Sequence, residues 1–125
     1  MLEKICADIE TSKKLKELGV EMKTKFWWES DNYNGSISID CWFERPLDSS
    51  YFKYLAAYTL EQILDILPEH LGYCHEEKYF EFCHPTLQNC MIFKTKDESL
   101  ANTAARLLIK LIEDKIITNP NKEIL

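Results

Sequence analysis

The sequence predicts an α+β domain of two layers, with an antiparallel sheet of about five strands and helices on one face. Three observations lead there. Ile37, Ile39, Cys41 and Phe43 alternate with Ser38, Asp40, Trp42 and Glu44, which is the period of a half-buried strand. Leu60, Ile63, Leu64 and Leu67, and again Leu100, Ala104, Leu107, Leu108, Leu111 and Ile112, recur instead at the spacing of one helix face. The strand-like stretches are joined by short turn-forming segments, which suit antiparallel neighbours. The predicted order is α-β-β-β-α-β-β-α.

Along the chain, Leu2, Ile5, Cys6 and Ile9 have helical spacing but fall out of phase with Leu15 and Leu18, so the first ten residues stay ambiguous. Thr11 or Ser12 is the expected cap of a helix through about Leu18, which Gly19 ends from the left-handed position past its C-terminus. Phe26 and Trp28 alternate with Lys25, Trp27 and Glu29, and the Asp31–Gly35 stretch (DNYNG) is turn chemistry, because Asn and Gly tolerate positive φ. A hairpin follows, with Phe26 and Trp28 on the face of Ile37 and Ile39. Pro46 lies in a loop, and a third strand is expected from about Tyr51 to Tyr58. Thr59 and Gln62 have capping-box spacing, and Pro68 closes that helix. A connection through Gly72 leads to a second hairpin, residues 78–84 and 90–96. Asp97 or Ser99 then caps the longest helix, expected to run to about Ile117, with Asn102, Arg106, Lys110, Glu113 and Asp114 on its polar side. Residues 1–118 form one domain, and 119–125, after the cut at Pro120, a flexible tail.

Bulk properties narrow the function classes. The chain has 125 residues, 46% of them hydrophobic and 29% charged, with only three Gly and four Pro, so one domain with a core is expected and low complexity is not. The formal charge is -6. Repulsion from phosphates makes nucleic acid a poor partner, and the densest basic run, Lys13-Lys14-Leu15-Lys16, reads as a solvated helix face. The same balance admits mimicry of nucleic acid toward a basic partner. No apolar run reaches the roughly 20 residues of a membrane span, so no membrane partner is expected. Acids interrupt the N-terminal apolar stretch, and the five cysteines do not form a paired framework, so a reduced cytoplasmic setting is expected.

Three runs carry a resemblance: residues 12–19 (SKKLKELG), 59–68 (TLEQILDILP) and 97–112 (DESLANTAARLLIKLI). Their order, with aromatic strands between the first two, is similar to the pattern SxxLxxLG, TLxxxLxxLP and DSLAxAxxxLLxxLI of a family of small uncharacterised proteins encoded by phages and prophages. The resemblance covers nearly the whole chain, with Glu98 inserted between the Asp and Ser of the last run. It implies a phage or mobile-element origin in a bacterium and the host cytoplasm as location. It carries over no catalytic residue.

Two groups of residues are candidates for function. Cys74-His75, Cys83-His84 and Cys90 gather three cysteines and two histidines into seventeen positions. Zinc needs four such ligands in a tetrahedron at about 2.0–2.3 Å, and a thiolate with a nearby imidazole makes a nucleophile. The spacing, however, misses the usual ligand knuckle, and adjacent strand residues point to opposite faces. Zinc therefore stands as the alternative to a reading with no cofactor, in which the cysteines pack as small hydrophobes. The second group is Trp27 and Trp42, on the side of the first hairpin away from the core, with Tyr79 joining them from the second hairpin. Exposed aromatics on a sheet face are anchors for a protein partner or a second copy; the competing explanation is local cross-strand packing. The resulting expectation is a non-enzymatic interaction protein.

Overall fold

The structure, a computed structural model, describes residues 5–42, 44–67, 71–82, 91–94 and 98–118. Among them are three helices and six strands: α1 (Ile9–Glu17), β1 (Phe26–Asp31), β2 (Ile37–Cys41), β3 (Phe52–Ala56), α2 (Leu60–Ile66), β4 (Leu71–Cys74), β5 (Tyr79–Phe82), β6 (Met91–Lys94) and α3 (Leu100–Glu113). The fold is α+β, with every strand pair antiparallel. The expected single sheet of about five strands is corrected: there are two three-stranded sheets, ordered β2-β1-β3 and β4-β5-β6. The extra strand is β4, expected to be a connection. It pairs with β5 from Leu71↔Phe82 to Cys74↔Tyr79, across a turn in which Lys78 takes a φ of 54°.

The first hairpin forms as its sequence dictates. Asp31 Oδ1 accepts the Tyr33 amide at 2.8 Å, Asn34 Oδ1 accepts the Ser36 amide at 2.9 Å, and Gly35 supplies a φ of 74°. In the register Trp28↔Ile39 and Trp28↔Leu55, Phe26 and Trp28 share the face of Ile37 and Ile39, as expected. That face is covered only in part. Trp28 is buried against Cys6 and Ala57, whereas Ile37 remains 54% exposed.

Helix ends are set by local chemistry. The cap of α1 is Asp8, whose side chain accepts the Thr11 amide at 2.8 Å. This corrects the expected Thr11 or Ser12, both of which are buried inside the helix. At its other end Gly19 (φ 83°) closes a paired-bond termination, its amide donating to Lys16 and the Val20 amide to Leu15; Val20 and Leu15 meet in the core. Thr59 and Gln62 form the expected capping box on α2. Ser99 caps α3, and the helix stops at Glu113 rather than near Ile117. There Lys115 takes the left-handed position (φ 60°), its amide donating to Ile112 and the Ile116 amide to Leu111.

Helix α3 is the centre of the molecule. It packs against α1, α2 and β6, while α1 packs against β3. Leu107, Leu108 and Leu111 are fully buried with Leu15, Ile63 and Phe80 around them. Asn102, expected on the polar side, is also buried. Its Oδ1 accepts the Asp8 amide at 2.8 Å, tying the start of α1 to the start of α3. The expected tail, 119–125, lies outside the described residues.

Candidate functional site

The two candidate groups fare differently. Cys74 is half-buried at the end of β4 and His75 starts the turn that follows. His75 meets the Tyr73 ring edge-on, with centroids 6.3 Å apart. Cys83, His84 and Cys90 lie outside the described residues, and among the described residues no three His, Cys, Asp or Glu side chains gather where a metal ion could sit. Tyr79 stands on β5 beside Cys74, and the hydrogen bond to that thiol, before any other cause, raises its pKa. Tyr79 lies in the second sheet, which corrects the expectation that it joins Trp27 and Trp42 on one sheet.

Trp27 and Trp42 do share a face. Trp27 lies opposite Asp40, and the Trp42 amide donates to the Lys25 carbonyl at 2.7 Å, which continues the β1–β2 ladder. Alternation then places Lys25, Trp27, Glu29, Ser38, Asp40 and Trp42 on one side. Tyr54 joins them from β3, opposite Glu29. Its ring meets Trp42 edge-on with centroids 6.0 Å apart. Desolvation, reinforced by the charge of Glu29 and a hydrogen bond to it, raises the pKa of Tyr54, so the hydroxyl keeps its proton and donates to Glu29.

The two tryptophans are unequally placed. Trp42 is 41% exposed. Trp27 is half-buried, with the Arg45 guanidinium 5.9 Å from its ring centroid. Its indole Nε1 is buried and finds no acceptor among the described residues, a condition that costs about 1–3 kcal/mol and is uncommon in native folds. Trp27 and Tyr54 also line a cavity of about 620 Å³ whose far wall is the segment joining α1 to β1, with Lys16, Met22 and Arg45 contributing. That wall is held in place. The Met22 amide donates to the buried Tyr58 hydroxyl at 3.1 Å, Gln62 Nε2 donates to the Lys23 carbonyl at 2.8 Å, and Thr24 Oγ1 donates to Ala57 at 3.0 Å. The site is thus a concavity lined by aromatic rings and by side chains of both charge signs. The sequence signalled Trp27 and Trp42 by alternation. It gave no sign of Tyr54 or Arg45, whose places depend on the β1–β3 register and on the loop after β2.

The described thiols also argue against nucleophilic use of Cys6. It is fully buried, and burial pushes its thiol from 9.0 up to about 11. Cys41, on β2, is exposed. Because the thiolate is the reacting species, a two-unit rise lowers it about 100-fold. Alkylation with iodoacetamide at pH 8, followed by peptide mass mapping, is expected to label Cys6 at least about 100-fold more slowly than Cys41. Comparable rates would show Cys6 to be open to solvent.

Among the described residues no helix is long and apolar enough to cross a membrane. Comparison of the chain with family models, curated proteins and solved structures returns no match.

Proposed function

We propose that this protein is a non-enzymatic binding protein, a small phage or prophage accessory factor that grips a protein partner through the face of Trp27, Trp42 and Tyr54. The observation that supports this reading most is the joining of the exposed Trp42, through its contact with the half-buried Tyr54, to a cavity that Tyr54 and Trp27 line. Aromatic and Arg side chains around a concavity are what interface anchors are made of. The orphaned Trp27 indole supports it too, since an unpaired buried donor is a cost that a folded chain retains where the site has a use. A partner presenting an apolar or aromatic side chain next to a carboxylate would fill the cavity and face Lys16 and Arg45.

The test compares the wild-type chain with Trp42→Ala and Tyr54→Ala as baits, followed by reconstitution of any captured protein with purified chain. A specific partner is expected whose affinity falls about 10- to 100-fold in each variant, the range for loss of an aromatic anchor. The intrinsic fluorescence of wild-type Trp42 should shift to the blue on binding. A reconstituted partner that binds both variants as tightly as the wild type would remove this face from the interaction.

A further inference from the structure

The two edges of the first sheet are finished differently. On β3 the outward backbone groups of Phe52 and the outward amide of Tyr54 are taken by the chain itself. The Tyr54 amide donates to Asp48 Oδ1 at 2.9 Å, the Phe52 amide donates to Ser49 Oγ at 3.1 Å, and the Phe52 carbonyl accepts the Ser49 amide at 2.8 Å. On β2 the register decides which groups point out. The Trp42 amide bonds Lys25 at 2.7 Å and the Asp31 amide bonds Ser36 at 2.9 Å. Bonded and unbonded pairs alternate along an antiparallel ladder, so Ser38 and Asp40 turn their backbone groups toward β1. Ile37, Ile39 and Cys41 turn theirs away from it. None of these outward groups has a partner among the described residues.

Apart from the single acid Asp40, this edge carries none of the usual protections among the described residues. Proteins blunt free edges with Lys, Pro, bulges or covering segments. β2 reads Ile-Ser-Ile-Asp-Cys, has an unbroken register with β1, and leaves Ile37 54% exposed. The geometry points to a two-fold dimer of this chain, formed by antiparallel pairing of β2 with β2 of a second copy.

Self-pairing, more than addition of a foreign strand, is favoured by the symmetry of the edge. The three outward residues are centred on Ile39, so Ile39 faces Ile39 of the second copy and Ile37 faces Cys41. Three residue pairs then each exchange two hydrogen bonds. In this register the one acid of the strand, Asp40, stands opposite Ser38. A shift bringing Ile39 opposite Cys41 would set Asp40 against Asp40 and is disfavoured by like charge. This matters in a chain of net charge -6, which resists most other self-contacts. The product is a continuous six-stranded sheet made from two three-stranded ones. Its bonds lie in the plane of the sheet, across from the side-chain direction used by the aromatic face, so this dimer does not depend on the proposed partner site.

Sedimentation equilibrium of the full chain from about 1 to 200 μM reads the assembly. A reversible dimer is expected. Ile37→Pro removes an outward N–H that β1 does not use, a place where an edge strand accepts proline, so the monomer should fold as before by circular dichroism. The dimer dissociation constant should rise about thirtyfold, the weight of two lost hydrogen bonds. Ile37→Lys, which keeps the amide but adds an edge charge, should weaken the dimer as well. With Cys74, Cys83 and Cys90 changed to Ser, Ile37→Cys should form an oxidised dimer joined between positions 37 and 41, whereas Ser38→Cys should not give a 38–41 bridge. Trp42→Ala should leave the dimer in place. A wild-type monomer at 200 μM, or a dimer indifferent to both Ile37→Pro and Ile37→Lys, overturns the inference without touching the aromatic-face reading.

Discussion

Replacing Trp28 with Ala is expected to destabilise the domain by about 4 kcal/mol, which is about a quarter or more of the ordinary stability of a domain this size. Trp28 is only 8% exposed and is the large side chain of a cluster that includes Cys6, Ala57, Ile9, Phe26, Ile39 and Leu55. These residues come from the N-terminal segment and from all three strands of the first sheet, so the indole is the packing link between them. Its Nε1 also donates to the Ala7 carbonyl at 3.1 Å. The only other side-chain donor to that carbonyl among the described residues is Ser12, at a longer 3.4 Å. Truncation leaves a cavity and a poorly satisfied carbonyl together. Thermal unfolding followed by circular dichroism should show a fall of about 15 °C. Trp28→Phe, which keeps much of the volume but loses the donor, should fall between Ala and wild type. Trp42→Ala should stay within about 1 kcal/mol of wild type. Equal losses for Trp28→Ala and Trp42→Ala would mean that the first sheet does not pack as described.

The contrast among the three tryptophans marks how far the sequence could be read. Alternation alone assigned Trp28 to the inside and Trp27 and Trp42 to the outside, because in a strand the facing depends only on parity. Caps were legible for the same reason of locality: Thr59 with Gln62, Ser99, and Gly19 past α1 act over three or four residues. The division into two sheets was not legible, since pairing joins residues far apart in the chain. β4 in particular is four residues long with a Gly inside, too short to carry a period. Asn102 was misread because helical spacing gives a residue's angle around α3 but not what lies there. Helix α3 is enclosed by α1, α2 and β6, and the group that binds Asn102 belongs to Asp8, 94 positions earlier. At the candidate site the tryptophans could be found in the sequence, while Tyr54 and the cavity wall could not. Cys83, His84 and Cys90 fall outside the described residues, so the zinc alternative rests on their chemistry alone.

Glu98→Ala is expected to cost about 3 kcal/mol, in the range for removing one partner of a largely buried ion pair. Glu98 sits just before the cap of α3 and is 13% exposed at its side chain; Arg106, two turns on, is 27% exposed. The Arg106 Nε donates to Glu98 Oε2 at 3.0 Å, and its NH2 group donates to Glu98 Oε1. The same guanidinium lies 4.7 Å from the Phe93 ring centroid and donates to the Lys94 carbonyl at 3.3 Å, so it pins β6 to α3. The Asn102 side-chain amide also donates to Glu98 Oε2, and Asn102 in turn holds the Asp8 amide. One carboxylate thus links the second sheet, α3 and the start of α1. Removing it strands Arg106 as a half-covered charge and frees Asn102 to turn from Asp8. Glu98→Gln keeps an acceptor but loses the charge, and should cost about half as much. In the double variant Glu98→Ala with Arg106→Ala, the total should fall short of the sum of the single losses by about 1–2 kcal/mol, the sign of direct coupling. Urea unfolding measures all four variants, Arg106→Ala included. Strict additivity would show that Glu98 and Arg106 act separately and that β6 is held to α3 by apolar contact alone.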